Sequence, residues 1–361
     1  MQASRRIRLL DSLRGLAALV VLLHHACTLF PRSLGVNAQQ TASVFVVLQA
    51  LSRLNTEAVL LFFVLSGFSI RLSIAPHGLD QPRDLLRYAE RRLLRILPLY
   101  WFALALSGTI AVWLAPVPAQ ASAPYTLLGN LLFLQTAVGV DGAWFLPYAG
   151  NGALWSLSFE MFYYAAFPLL VRAVSGKRTR LGLVLAATAL GQLVGSVWPC
   201  PFTMFLGASL IWYVGVLLAE RYLSGSATLP WWAAAALAAL LGLTQLGARS
   251  VQFYGLWLGS LLLLAGSALI QHAPRLRVLS RPLDRPLLSP LARAGDISYA
   301  LYLLHLPVLR AALALIGDRW LAVAIGLASS LTLAYGAERA ALSLTRSRVR
   351  EQESVELAPA A

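Results

Sequence analysis

The sequence predicts an all-α protein, a polytopic membrane helical bundle of about ten transmembrane helices with the N- and C-termini cytoplasmic. Three observations carry this prediction. Of 361 residues, 58% are hydrophobic and only 12% charged, against roughly 25% charged in soluble domains, and mean hydropathy is +0.70. Apolar windows of roughly 20 residues, the length that spans hydrocarbon, recur along the chain. Arginines collect in short runs between alternate windows, the positive-inside pattern.

The windows place spans near 14–31, 50–71, 96–116, 153–173, 181–198, 202–219, 230–247, 253–271, 296–316 and 320–340. The first follows Arg5, Arg6 and Arg8. A basic stretch before an apolar one resembles a signal peptide. No small-x-small cleavage site follows, however, and the apolar run carries charged and imidazole groups, so the segment is read as a retained span. With the N-terminus inside, the cytoplasmic loops are 72–95 (Arg83, Arg87, Arg91, Arg92, Arg95), 174–180, the turn at Arg221, and 272–295 (Arg275, Arg277, Arg281, Arg285, Arg293). Outer loops keep scattered cations such as Arg32, Arg249 and Arg319.

The segment 125–137 (YTLLGNLLFLQTA) is apolar but too short to cross. Counting it as a span would put the later arginine clusters outside, so it is read as a re-entrant or interfacial helix. The surrounding stretch 117–152 is rich in Pro, Gly and aromatic residues, which suits a loop lining a cavity. Residues 1–341 form the transmembrane domain, and 342–361 are expected to be a short, disordered cytoplasmic tail.

Net charge is +14, and Lys177 is the only lysine. A basic excess can signal nucleic acid, but charges in short runs between apolar spans set membrane topology instead, so no nucleic-acid partner is expected. Cys27 lies in an apolar span and Cys200 in a short loop, so neither a structural disulfide nor a metal site is expected.

The polar groups inside these spans are where chemistry would reside, because ionisable side chains at that depth are costly. In RLLDSLRGLAALVVLLHHAC (8–27), Asp11, Arg14 and His25 share one helical face, while His24 is turned away by about 100°. Arg14 and His25 are three turns, roughly 16 Å, apart along the axis. FFVLSGFSIR (62–71) brings Ser66, Gly67, Ser69 and Arg71 to the second span, with small residues that also favour close packing. WSLSFE (155–160) carries Trp155, Ser156, Ser158 and Glu160; an intramembrane carboxylate needs a partner, and Arg14 or His25 is of the right type. GDISYALYLLHLPV (295–308) carries Asp296, Ser298, Tyr299, Tyr302 and His305, and Pro307 frees a backbone carbonyl one turn back. In RYAERRLLRILPLYW (87–101), Arg87, Arg91 and Arg95 share a face that suits bidentate phosphate contacts, and equally suits anionic lipid.

Taken in series, LDSLRGLAAL with His25, FFVLSGF, RRLLRILPLYW, WSLSFE and SYALYLLH resemble the acyltransferase-3 family of integral membrane acyltransferases, in the family's order from about residue 7 to 340. The resemblance implies transfer of an acyl group, usually acetyl from acetyl-CoA, to a hydroxyl of a cell-surface or secreted carbohydrate. It places the enzyme in the cell (inner) membrane. It maps the functional arginine and histidine onto Arg14 and His25, and the serine–glutamate motif onto Ser158 and Glu160. Many glycan-modifying members carry a further extracytoplasmic esterase-like domain. This chain ends without one, so a separate extracytoplasmic transferase is kept as a partner.

The expected site therefore has His25, Arg14 and Glu160 as catalytic groups. Arg91, Arg92, Arg95 and Ser66 bind acyl-CoA, and Asp11, Ser158, Trp155 and His305 contact the acceptor. No metal takes part. Two routes fit: His25 deprotonates the acceptor hydroxyl, oriented by Glu160, or His25 itself accepts the acyl group and relays it outward. Acylation of a lipid or small hydrophobic alcohol, and a non-enzymatic transporter, are the competing classes. Against a transporter, the sequence has no internal repeat.

Overall fold

The expected spans that fall within the described residues are helical, the one near 202–219 being divided at Ala208. The structure, a computed structural model, describes residues 8–34, 54–76, 78–79, 81–224 and 288–356. The expected spans near 230–247 and 253–271 lie outside the described residues. In chain order the helices longer than a single turn are α1 (Arg8–Leu34), α2 (Asn55–Ile74), α3 (Pro82–Trp113), α4 (Pro124–Leu131), α5 (Trp155–Ala173), α6 (Lys177–Val197), α7 (Pro201–Gly207), α8 (Ser209–Leu223), α9 (Leu288–Asp296), α10 (Ser298–Leu315) and α11 (Arg319–Glu356). Eight spans among these residues are long and apolar enough to cross a membrane, with α7 and α8 together making one of them.

Helix α3 shows how sequence sets an end. Pro82 stands in the first turn, where its missing N–H costs nothing, and the Gln81 amide donates to Asp84 Oδ2 at 3.2 Å. Helix α11 continues without a break past residue 341 to Glu356. No Pro or Gly stands between Gly336 and Pro359, so nothing local stops it.

Backbones touch at glycines, as membrane packing requires where no hydrophobic drive exists between helices. A Cβ at Gly67 of α2 would sit 2.1 Å from the Trp212 carbonyl of α8, and one at Gly215 of α8 would sit 1.9 Å from the Val64 carbonyl. Gly15 of α1 and Gly295 of α9 form a second such pair, against Leu291 and Asp11 carbonyls at 2.0 and 1.9 Å. Helix α1 also packs on α2 and α10, and α10 on α3 and α11. The segments that carry the sequence motifs are therefore mutual neighbours.

Two prolines create acceptors that neighbouring helices use. Pro307 cannot donate to the Leu303 carbonyl, and Asn151 Nδ2 donates to it instead at 3.0 Å. Pro168 leaves the Tyr164 carbonyl free, and the Tyr88 hydroxyl donates there at 3.1 Å. Inside hydrocarbon such satisfaction is obligatory.

Helix α4 is eight residues, about 12 Å long, so 125–137 does not span. The chain around it is pinned to the bundle by buried amides. Asn130 Nδ2 donates to Leu146 O at 2.8 Å and Gln135 Nε2 to Leu154 O at 2.9 Å. Arg310 of α10 donates to the carbonyls of Ala149 (2.8 Å) and Ala115 (2.6 Å). That clamp holds Ala149 at φ 52°, a left-handed conformation rare for a residue with a Cβ.

Candidate active site

Helix α1 runs unbroken through Asp11, Arg14 and His25 because no proline stands before Pro31 and the one glycine, Gly15, costs only about 1 kcal/mol. Its shared face meets two different neighbourhoods. Near its start, Arg14 Nη1 bonds Asp11 Oδ1 at 3.1 Å, and Nη2 donates to the Ser69 hydroxyl of α2. Three turns on, His25 faces α10.

There the two histidines meet. His25 Nδ1 lies 3.1 Å from His305 Nε2, with ring centroids 4.9 Å apart. The protonation pattern follows from what surrounds them, assigned by hydrogen-bond logic. A carbonyl oxygen only accepts, so His305 Nδ1, 2.9 Å from Leu301 O, carries a proton. In the neutral ring its Nε2 is then bare. His25 Nδ1 faces two acceptors, that nitrogen and the Val21 carbonyl at 3.0 Å, so it too is protonated. The lone pair of neutral His25 is left on Nε2, free for chemistry.

Glu160 is elsewhere. Its Oε1 accepts from Ser66 Oγ at 2.9 Å and from the Tyr164 hydroxyl. Ser66 in turn accepts from Trp212 Nε1 at 3.2 Å. The carboxylate thus joins α2, α5 and α8, and the partner of the His25 ring is His305. The expected Glu160–His25 pairing is not what the structure builds, because Ser66 and Tyr164 hold the carboxylate on the α2 side. Glu160 instead lies within electrostatic reach of Arg14, as do Arg95 and Tyr164.

Of the three arginines expected to hold the coenzyme, Arg92 points inward, its guanidinium 5.9 Å from the ring centres of both Tyr88 and Tyr164. Arg95 has a side chain 52% exposed with Nη2 3.9 Å from Glu338 Oε1. Arg91 is exposed. The spacing-four face Arg87–Arg91–Arg95 therefore does not converge as a unit. Arg14 and Arg92 lie beside the Ser66–Glu160–Tyr164 cluster, and Arg95 lies within electrostatic reach of Arg14.

The residues expected at the acceptor are also resolved by their contacts. Ser158 is buried with its hydroxyl donated to the Gln135 and Trp155 carbonyls, a brace between α5 and the loop before it. Trp155 packs edge-on against Phe63 and Phe159. His305 is 1% exposed with both ring nitrogens engaged. Asp11 holds Arg14. Sequence reasoning missed Tyr164, Tyr88 and Trp212, whose signal was only an aromatic-rich helix. Ser156, expected on the Glu160 face but given no role, has its hydroxyl 2.8 Å from Tyr302 OH, beside the histidine pair. Among the described residues no three His, Cys, Asp or Glu side chains converge as a metal would need.

A part-buried imidazole with one bare nitrogen, inside a helical membrane bundle with arginines gathered toward one end, is an arrangement suited to group transfer within the membrane. Residues 7–339 match the acyltransferase domain family, and the chain belongs to that family, the integral membrane acyltransferase-3 enzymes; it is an O-acyltransferase. Over 258 residues it is 28% identical to the exopolysaccharide production protein ExoZ of Rhizobium meliloti (strain 1021), a match covering 68% of this chain and 73% of that protein. No solved structure matches the chain.

Proposed function

We propose that this enzyme moves an acetyl group from acetyl-CoA to a hydroxyl of a cell-surface or secreted carbohydrate in the inner membrane, with His25 Nε2 as the reacting nitrogen. The observation that carries this reading is the 3.1 Å contact between His25 Nδ1 and His305 Nε2, which leaves the opposite nitrogen of His25 bare. The carbohydrate acceptor rests on the similarity to the exopolysaccharide production protein.

In the direct route His25 Nε2 takes the proton of the acceptor hydroxyl, and that oxygen attacks the thioester carbonyl. The tetrahedral centre collapses with cleavage of the carbon–sulfur bond, and the proton on Nε2 passes to the departing sulfur. His305 accepts from His25 Nδ1 throughout and stabilises the imidazolium, the part played by a carboxylate in hydrolase triads. Arg14 stands roughly 16 Å down the same helix, too far to touch the carbonyl that His25 serves. It belongs with Arg92 and Arg95, where the coenzyme's phosphates would bind. An extended pantetheine arm bridges that spacing.

The test uses inverted membrane vesicles containing the enzyme, supplied with acetyl-CoA labelled in the acetyl group. The reading expects label in alcohol-precipitable polysaccharide, released by mild base as acetate, and none with His25→Ala at equal protein level. Label found only in the lipid extract would replace the carbohydrate acceptor with a lipid one.

A further inference from the structure

An apolar groove of about 220 Å³ runs between α5, α6 and α8, lined by Phe162, Ala166, Phe167, Val184, Ala187 and Tyr213 among others. It is separate from the histidine pair. At its arginine-rich end sits a cluster that no step above uses. The buried carboxylate of Glu220 faces Arg71 Nε at 3.2 Å, Lys177 Nζ at 3.5 Å and Arg180 Nη1 at 3.9 Å. Three cations on one carboxylate leave two positive charges unbalanced.

Groove and cluster stand in line, two turns apart on the same helices. Lys177 and Val184, Arg180 and Ala187, and Tyr213 and Glu220 are each seven residues apart, two turns along one helical face. In each pair one member belongs to the cluster and the other lines the groove. Tyr213, a groove wall, lies within electrostatic reach of Glu220, Arg180 and Arg71. Helix α6 starts at Lys177 with no side chain capping its first N–H groups, so backbone donors add to the same end.

We infer that this groove binds one anionic phospholipid, an acyl chain lying along α5, α6 and α8 and the phosphate against Arg71, Lys177 and Arg180. Apolar walls ending in a net-positive cluster match such a molecule end to end. A zwitterionic lipid would bring its own ammonium to the cations, and free phosphate would leave the walls unfilled.

The experiment follows thermal unfolding of the purified full chain in dodecylmaltoside with dioleoylphosphatidylglycerol, dioleoylphosphatidylcholine or inorganic phosphate added. Phosphatidylglycerol is expected to raise the midpoint of the wild-type chain by at least ~3 °C, with phosphatidylcholine and phosphate giving less than about a third of that. Lys177→Gln, at a side chain 63% exposed, is expected to keep the lipid-free midpoint and lose at least about half of the increment. Ala187→Phe, which fills the groove, is expected to abolish it. Should Ala187→Phe unfold early by itself, Lys177→Gln decides alone. Equal increments from phosphatidylcholine or phosphate, or an intact increment in Lys177→Gln, overturn the site. An increment lost in Lys177→Gln but intact in Ala187→Phe overturns the acyl chain's place in the groove.

Discussion

On the proposed reading, His25 and His305, whose ring nitrogens lie 3.1 Å apart, divide one task between two imidazoles. If His305 fixes the tautomer of His25, then His305→Ala removes an orienting acceptor and no substrate contact. The expected result is a kcat lowered about 10–100-fold with KM for acyl-CoA unchanged; steady-state kinetics on the folded variant checks it, and a raised KM at constant kcat would make His305 a substrate ligand instead. The arginines separate in the same way. Arg92→Gln is expected to raise KM for acyl-CoA about tenfold because its guanidinium faces the Glu160–Tyr164 cluster. The neighbouring Arg91→Gln, at an exposed position, is expected to change it less than about twofold. Equal effects of the two would return the coenzyme to the outward face.

At the scale of elements, helix positions depend on glycines and on carbonyls that prolines release. Gly215→Leu is expected to prevent folding, and Gly215→Ala to cost about 1–3 kcal/mol. Alanine is the better helix former by about 1 kcal/mol, but a methyl 1.9 Å from the Val64 carbonyl forces α2 and α8 apart, and that effect wins. Asn151→Leu leaves the Leu303 carbonyl and the Ser107 hydroxyl without their buried donor. A loss of about 1–3 kcal/mol is expected in detergent unfolding, with a fall in kcat because α10 carries His305.

Much of this scale was legible in the sequence. The apolar windows located the spans, the SGF glycine announced a close contact, and Pro307 announced a free carbonyl. What composition could not supply was pairing. His25 and His305 are 280 residues apart, and a carboxylate at Glu160 reads as wanting a cation when hydroxyls of Ser66 and Tyr164 satisfy it as well. The family resemblance puts Ser158 at the substrate because it maps the serine–glutamate motif onto Ser158 and Glu160. Only the fold reveals that the Gln135 carbonyl occupies it. Membrane burial is the reason: every polar group must find a protein partner, so the partner's identity rests on helix packing and not on local pattern.

For the molecule as a whole, the helices set two stations on one α1 face, an arginine-rich end around Arg14, Arg92 and Arg95 and an imidazole pair three turns deeper. On the proposed reading, this separation has one end hold the polar donor while reaction occurs within the bundle. The most direct measurement is free thiol released from acetyl-CoA by the purified enzyme with carbohydrate acceptor, comparing wild type with a His25→Ala variant of matched unfolding midpoint. Acceptor-dependent release is expected, falling about 10²–10⁴-fold in the variant. Equal rates of release from the two proteins would contradict this expectation and remove His25 from the reaction.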